Sequence, residues 1–260
     1  MKKLSLLLAL IMVLGCVFTV FTACNKDDDK NNDDGDKQSG DKTTTEKISM
    51  VCLGDSITYG QDGDPDLTEP ARMKKPYPTI IKNQLRYDVD NIAVPGATIR
   101  TGVKRADNTT RPTIQDQLDL IEGTPDIISI MGGVNDCGNF VLGENTPSNK
   151  DTANFYGALR KMCGELKTNY PDAYIFFITP LRTATYSDPA ADSTLKTICE
   201  AIKTVCAEYE FPVYDAFAEI EIDFEDPKTS SDGVHIAADV IEDVVAPKIV
   251  KFIKDNYKAE

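Results

Sequence analysis

The 260-residue chain has one histidine, no tryptophan and no Cys-x-x-Cys pair. A zinc site built from cysteine and histidine is therefore not expected, because tetrahedral zinc takes three or four such ligands. The missing tryptophan argues against a dedicated module for insoluble polysaccharide, although ten tyrosines remain for stacking. Positive charge is also scarce, with 28 Lys and Arg against 42 Asp and Glu and a net charge of −14. Residues 47–260 alone carry 22 against 34. Such a surface repels nucleic acid and anionic lipid headgroups. No long internal repeat is present.

The longest uncharged run comes first. Lys2 and Lys3 precede residues 4–23, which hold no charge, the pattern of an export signal. Twenty residues at ~1.5 Å each also reach across a bilayer, so an uncleaved anchor is the alternative. Phe21-Thr22-Ala23-Cys24 resembles a bacterial lipobox, in which the cysteine is lipidated and becomes the new N-terminus. Val13-Leu14-Gly15-Cys16 is a rival match, but cleavage there would leave residues 17–23 as an apolar stub. The expectation is a signal peptide over residues 1–23 and lipid on Cys24. The protein then works outside the cytoplasm and meets the membrane only through its lipidated N-terminus. Residues 25–46 contain no large apolar residue, cannot offset their ordering entropy, and are expected to form an acidic tether over 24–46. Metal binding by the acidic run is the alternative reading of that segment.

Without Cys16, and with Cys24 modified, five cysteines remain: Cys52, Cys137, Cys163, Cys199 and Cys206. Cys199 and Cys206 are seven apart on one expected helix, about 10.5 Å along its axis, beyond the ~7 Å reach of a disulfide. Cys163 could meet one of them from a neighbouring helix. An odd count without close pairs favours free thiols packed in the core.

From residue 48 onward, short apolar runs alternate with amphipathic segments. Residues 48–53, 91–94, 127–131, 174–178 and 213–214 are strand candidates, several of them continuously apolar, as in a sheet buried on both faces. Ile114, Leu118 and Ile121 share one helical face. Phe155, Leu159, Met162 and Leu166 share another, as do Leu195, Ile198, Ile202 and Val205. Val240, Ile241, Val244 and Val245 open a last helix that Pro247 should kink or restart. Residues 47–260 thus predict one α/β domain, a three-layer sandwich with a parallel sheet between helices. Ligands in such sheets bind beyond the carboxyl ends of the strands. Three polar segments fall there: Gly54-Asp55-Ser56, Pro95-Gly96 and Gly132-Gly133-Val134-Asn135-Asp136.

Ser56 can cap a helix, or it can act as a nucleophile beside the positive end of the helix dipole. Pro95-Gly96 is a type II turn signal, and a glycine there leaves its N–H open to a ligand. The Asn135 amide is a further donor. Asp232 stands three residues before His235, near enough to hold one ring nitrogen and leave the other as a base.

In order and spacing, Gly54-Asp55-Ser56, Ala93-Val94-Pro95-Gly96-Ala97-Thr98, Gly132-Gly133-Val134-Asn135-Asp136 and Asp232-Gly233-Val234-His235 resemble the four blocks of the SGNH-hydrolase superfamily, the GDSL-type esterases and lipases. Tyr77-Pro78 and Ile178-Thr179-Pro180 add to the likeness, which spans residues 47–256. The resemblance implies a flavodoxin-like five-stranded sheet of order 2-1-3-4-5. It also implies a nucleophile Ser56, a base His235 and an orienting Asp232. The oxyanion hole would come from the N–H groups of Ser56 and Gly96 and the Asn135 side chain, supported by Asp55 and Asp136, with no cofactor or metal. Family members often have proline after the histidine and a glycine later. Here Ile236-Ala237-Ala238-Asp239 follows instead, which leaves the start of the last helix open.

Loops 61–76, 137–150 and 181–192 are expected to line the site. Arg72, Lys74 and Lys75 form a local basic patch, and Phe140 and Tyr186 could stack or pack, but none of these names a ligand and a solvated loop is the default reading of all three loops. No loop is apolar enough for a lipase lid. The expected substrate is a short acyl ester, acetyl above all, on carbohydrate, hydrolysed by a monomer. A lysophospholipase or thioesterase on the same site is the alternative. An inactive surface module that binds ligand on this scaffold is the alternative of another class.

Overall fold

Side chains along the strands alternate between two apolar layers. Met50, Cys52, Ile127, Met131, Phe176 and Ile178 enter one buried cluster. Their neighbours Val51, Leu53, Ile128, Ile130, Ile175 and Phe177 enter the other. A strand buried on both sides needs helices on both sides, and the sequence supplies them. The computed structural model describes residues 47–69, 71–184 and 189–258. The export segment, Cys16, Cys24, the 24–46 tether and Tyr186 lie outside the described residues.

The sheet comprises β1 (Ser49–Gly54), β2 (Asp88–Asn91), β3 (Ile127–Met131), β4 (Tyr174–Ile178) and β5 (Val213–Tyr214). All pairs are parallel and the order is β2-β1-β3-β4-β5, as the resemblance implies. Strand β2 begins three residues before the apolar run expected for it. It is an edge strand whose Asp88 and Asp90 are exposed, so its signal is alternation rather than continuous apolarity. Ile92 and Val94 still donate to Cys52 and Gly54 beyond its end.

Helix α1 (Ser56–Tyr59) follows β1 directly, and α2 (Tyr77–Leu85) opens on Tyr77-Pro78. Helices α3 (Phe155–Asn169) and α4 (Pro189–Glu208) cover one face with Leu159, Met162, Ile198 and Ile202. Helix α5 (Ala216–Glu219) is a single turn after β5. The other face is covered by α2 and α7 (Ala246–Asn256), through Ile80, Ile81, Ile249, Val250 and Ile253. The Ile114–Ile121 stretch is a 3-10 helix over Gln115–Leu120 rather than an α-helix.

The C-terminal run starts at α6 (Ala238–Val240), with no side-chain cap at Ala237. It then widens into a π turn over Ile241–Val245 before Pro247 sits at the start of α7. The π turn shifts the hydrogen-bond ladder just ahead of the proline, which has no N–H to give it.

Cys52, Cys163, Cys199 and Cys206 are buried free thiols, and Cys137 is half-buried. Cys163 and Cys206 meet across α3 and α4 as hydrogen-bonding neighbours. Among the described residues no helix is long and apolar enough to cross a membrane, and no acidic, thiol or imidazole cluster is placed to hold a metal ion.

Candidate active site

Three loops at the carboxyl ends of β1, β2 and β3 converge with the loop before α6. At the end of β1, Gln117 is fully buried and both donates to Gly54 O and accepts from Gly54 N, each at 2.8 Å. This side chain extends the sheet by one rung and fixes where the chain turns. Asp55, not Ser56, then caps α1: its Oδ1 accepts from Ile57 N at 3.0 Å. Ser56 is the first helical residue, so the serine hydroxyl is not spent on the helix end.

That hydroxyl faces His235, with Oγ 2.9 Å from Nε2. The other ring nitrogen, Nδ1, lies 2.6 Å from Asp232 Oδ2. Asp232 is held in turn by its own loop, since Oδ1 accepts from the N–H groups of Val234 and His235 at 2.9 and 2.8 Å. Gly233 between them takes φ +75°, the left-handed conformation that folds the carboxylate back onto the ring. Partial burial pushes the Asp232 carboxyl up, but bonds from the His235 ring, the His235 N–H and the Val234 N–H outweigh it. The group ends below the ordinary carboxylate range. Asp232 therefore stays ionised beside the imidazole.

With Nδ1–H donating to the Asp232 carboxylate, Nε2 carries the lone pair that faces Ser56. Gln61 Nε2 lies 3.3 Å from Nδ1. A protonated Nδ1 cannot accept from it, so Gln61 packs against the ring edge.

Gly96 occupies the third position of a turn closed by Ala97 N donating to Val94 O at 3.1 Å. Its φ of +78° is that of a type II turn. Asn135 sits in the 3-10 turn Val134–Asp136, which follows Gly133 at φ +121°. Its Nδ2 donates to Ala97 O at 3.1 Å and its Oδ1 accepts from Arg111 Nη1 at 3.2 Å. The amide is thus oriented from both ends, and its second N–H is left for a ligand.

Asp136 is fully buried and ties these two loops together. Its carboxylate accepts from Ile99 N at 2.8 Å and Arg100 N at 3.0 Å and lies 3.3 Å from Arg100 Nε. Burial pushes Asp136 up to about 6, against the downward pull of those N–H groups and of Arg100. Burial likewise pushes Asp55 up to about 7, opposed by the Ile57 N–H and aided by the charge of Asp136.

The expected ligand-facing side chains fare differently. Arg72 donates to Tyr59 O at 2.9 Å and lies over the Tyr59 ring, while Lys75 pairs with Glu242 at 2.7 Å. Both are exposed and have partners within the fold. Phe140 packs edge-on against Phe155 in the core. Loop 137–150 folds back on α3 through Val141 O and Leu142 O. Loop 61–76 does reach the site through Gln61 and Gly63. A small cavity of about 10 Å³ is lined by Asp55, Ile57, Met131, Val134, Pro180, Leu181, Thr183 and Val234. These include the sequence neighbours of Ser56, Asn135 and His235.

Gln61, Gly63, Arg111 and Gln117 were not legible as site residues. None belongs to a motif, and each acts through a contact across 15 or more positions of sequence.

A family model described as GDSL-like lipase/acylhydrolase matches residues 52–239. No curated protein sequence matches the chain. Among solved structures, the chain is similar to the lipase/acylhydrolase from Enterococcus faecalis, at 23% identity and TM-score 0.57, with 82% of this chain and 98% of that one covered. A carbohydrate acetylesterase from Sinorhizobium meliloti matches at 20% identity and TM-score 0.59, covering 81% and 100%. The native aryl esterase of M. smegmatis matches at 18% and 0.58, again covering 81% and 100%. At these identities the likeness to each structure concerns the fold.

Proposed function

Because the chain belongs to the GDSL-like lipase/acylhydrolase family, we propose that it hydrolyses short acyl esters, acetyl above all, on carbohydrate, with Ser56 as nucleophile. The observation that carries this reading is the unbroken run from Ser56 Oγ through both ring nitrogens of His235 to Asp232. Ser56 Oγ attacks the ester carbonyl carbon as its proton passes to Nε2. Asp232 holds the Nδ1 proton and stabilises the imidazolium. The carbonyl oxygen becomes an oxyanion facing the Ser56 N–H, the Gly96 N–H and the free N–H of Asn135. On collapse the C–O bond to the alcohol breaks, and the Nε2 proton goes to the leaving oxygen. Water then gives a proton to Nε2 and attacks the acyl carbon; the bond from that carbon to Ser56 Oγ breaks, the Nε2 proton returns to Oγ, and the acid leaves. No step requires a metal or organic cofactor.

The narrow cavity beside these residues supports the short acyl group, since about 10 Å³ admits roughly one water-sized group. The similarity to a carbohydrate acetylesterase supports the sugar half. One chain supplies the whole site, and we propose that it works as a monomer. We further propose export and lipid attachment at Cys24, supported by Lys2, Lys3 and the uncharged residues 4–23. Mass spectrometry of the mature N-terminus tests this, and an unmodified Cys24 overturns it.

For the activity, p-nitrophenyl esters of graded acyl length and a panel of acetylated glycans provide the test. Turnover should be highest on acetyl and fall steeply by octanoyl. Preference for long chains would instead favour the lysophospholipase or thioesterase reading. A Ser56 that does not react with an organophosphate probe would mark the protein as a binding module.

A further inference from the structure

Residues 103–111 form a tight two-stranded turn beside the Gly96 loop. Arg105 N donates to Thr109 O at 2.9 Å, Arg111 N donates to Val103 O at 2.8 Å, and Lys104 bridges antiparallel to Thr110. Val103 faces Arg111 and Arg105 faces Thr109 in that register. Arg105 and Arg111 are therefore diagonal neighbours on the same face, within reach of each other through long side chains. Lys104 lies on the opposite face with Thr110, its Nζ 2.6 Å from the threonine hydroxyl.

Both guanidinium groups converge on Gly96. A β-carbon there would stand 3.1 Å from Arg111 Nη1 and 3.2 Å from Arg105 Nη2. Like charges on one face repel, yet among the described residues neither arginine has a carboxylate within salt-bridge distance; the charge that Arg105 meets is that of the exposed Asp107 of the same turn, which it stabilises from farther away. Arg105 uses only Nη1, on Thr110 O at 3.3 Å. Arg111 uses only Nη1, on Gly96 O and Asn135 Oδ1. The remaining N–H donors of both have no protein acceptor among the described residues, and both side chains are half-exposed. Elsewhere in this acidic domain the well-placed cations are paired: Arg100 with Asp136, Arg160 with Glu208, Lys203 with Asp215. Two guanidinium groups with N–H donors to spare, beside the oxyanion donors, make a planar, multidentate receptor for an oxyanion.

The sheet order places this receptor relative to the acyl group. The narrow cavity is lined chiefly from the ends of β1, β3 and β4, by Asp55, Ile57, Val134, Pro180, Leu181 and Thr183, with no residue from the segment after β2, whereas the arginines follow β2, on the other flank of β1. An acyl group in the cavity leaves the alcohol half of the ester toward the arginines. We propose that Arg105 and Arg111 form an anion subsite for the alcohol half of the substrate, and that the preferred ester is an acetylated acidic sugar whose carboxylate they bind. This rests on the esterase reading above and names its substrate class. Arg111 has a second role as a positioning residue, because it holds the Asn135 amide.

The test compares kcat/KM for two esters that differ only in charge: an O-acetylated methyl glucuronoside and the methyl glucoside acetylated at the same position. The wild type should favour the glucuronoside by about 10- to 100-fold. Arg105→Gln should abolish that preference by raising KM for the charged ester alone, with turnover of the glucoside ester unchanged. Arg111→Gln should lower kcat on both esters and remove the preference as well. Rising salt should weaken the wild-type preference, as expected for an exposed ion contact. Equal rates on the two esters, or a preference that survives Arg105→Gln, would overturn the subsite and leave the esterase standing. Hydrolysis of neither ester would overturn the esterase reading and the subsite with it.

Discussion

Gly63 lies directly against the peptide chain of His235: a β-carbon at Gly63 would stand 1.9 Å from the His235 carbonyl oxygen and 2.2 Å from its carbon. Gly63 N donates to Ile236 O at 3.3 Å, and Ser231 N donates to Gly63 O at 2.8 Å. Two loops from opposite ends of the sequence are thus clasped backbone to backbone, at the residue that carries the only imidazole.

A Gly63→Ala substitution cannot be absorbed by a rotamer change, because the obstacle is backbone. It should push the His235 loop outward and lower kcat by about 10²-fold, the usual consequence of misplacing a reacting group by ~1 Å. Steady-state kinetics test this, and the proton spectrum of the lone histidine reports the displacement without overlap. Unchanged turnover in folded Gly63→Ala would show that the clasp does not set the ring.

Ser56→Ala should silence the enzyme and leave stability unaltered, because the cap of α1 comes from Asp55. Asp55→Ala should instead cost about 1 kcal/mol, the usual worth of an N-cap side chain. Urea unfolding of the two variants separates the roles. A destabilised Ser56→Ala with a neutral Asp55→Ala would reverse them.

Asn135→Ala removes one oxyanion donor and should reduce kcat by about 10²–10³ with little change in KM. A raised KM at unchanged kcat would show that Asn135 only binds substrate.

The base must be neutral to take the serine proton, so kcat/KM should rise with pH as His235 deprotonates. Because the chain has one histidine, the midpoint of that limb must coincide with the midpoint of the imidazole titration read by NMR. Two different midpoints would remove His235 as the base. Asp232→Asn should depress the plateau by as much as ~10⁴, through the wrong tautomer.

Stability carries its own pH signature. With Asp55 raised to about 7 and Asp136 to about 6, the folded domain keeps protons that the unfolded chain releases near ~4. Stability linked to them is whole below ~pH 4 and is lost as pH rises through about 6 and then about 7. Asp232, lowered by its ring and backbone partners, acts with opposite sign: its share is present above ~pH 4 and is lost as pH falls through its folded value. Between pH 4 and 7 the unfolding free energy should therefore decline, and Asp55→Asn should flatten the decline. An unaltered slope in that variant would show that Asp55 is ionised in the fold.

The sheet was legible because β1, β3 and β4 are short runs of apolar residues that a buried parallel strand requires. Strand β2 was misplaced because an edge strand tolerates Asp88 and Asp90, and its alternation is too short to stand out. The meeting of Ser56, His235 and Asp232 was legible because the serine follows the end of a strand and the other two share one short turn. Gln117, Gly63 and Arg111 carry no such signature. A glycine needed for close approach is indistinguishable in sequence from a loop glycine. A buried glutamine that pairs with a strand end also reads as a polar helix residue. The partners of Arg72 and Lys75 were likewise not legible, since adjacency in sequence says nothing about the carbonyl and carboxylate that they meet.

The carboxylate of Asp136 binds two backbone N–H groups of one loop while its own backbone belongs to the next. Gly96 and Asn135 are consequently parts of a single braced insert, which Arg111 ties together a second time through Gly96 O and Asn135 Oδ1. Substrate range can therefore drift, or be evolved in the laboratory, by changing Arg105 and its exposed neighbours in the 103–111 turn, provided that Arg111, Gln61 and Gly63 are kept to hold Asn135 and His235. Chemistry and selectivity thus meet at Arg111, while Arg105 can change alone. The residue to leave untouched in any such library is the buried aspartate, although it meets no substrate.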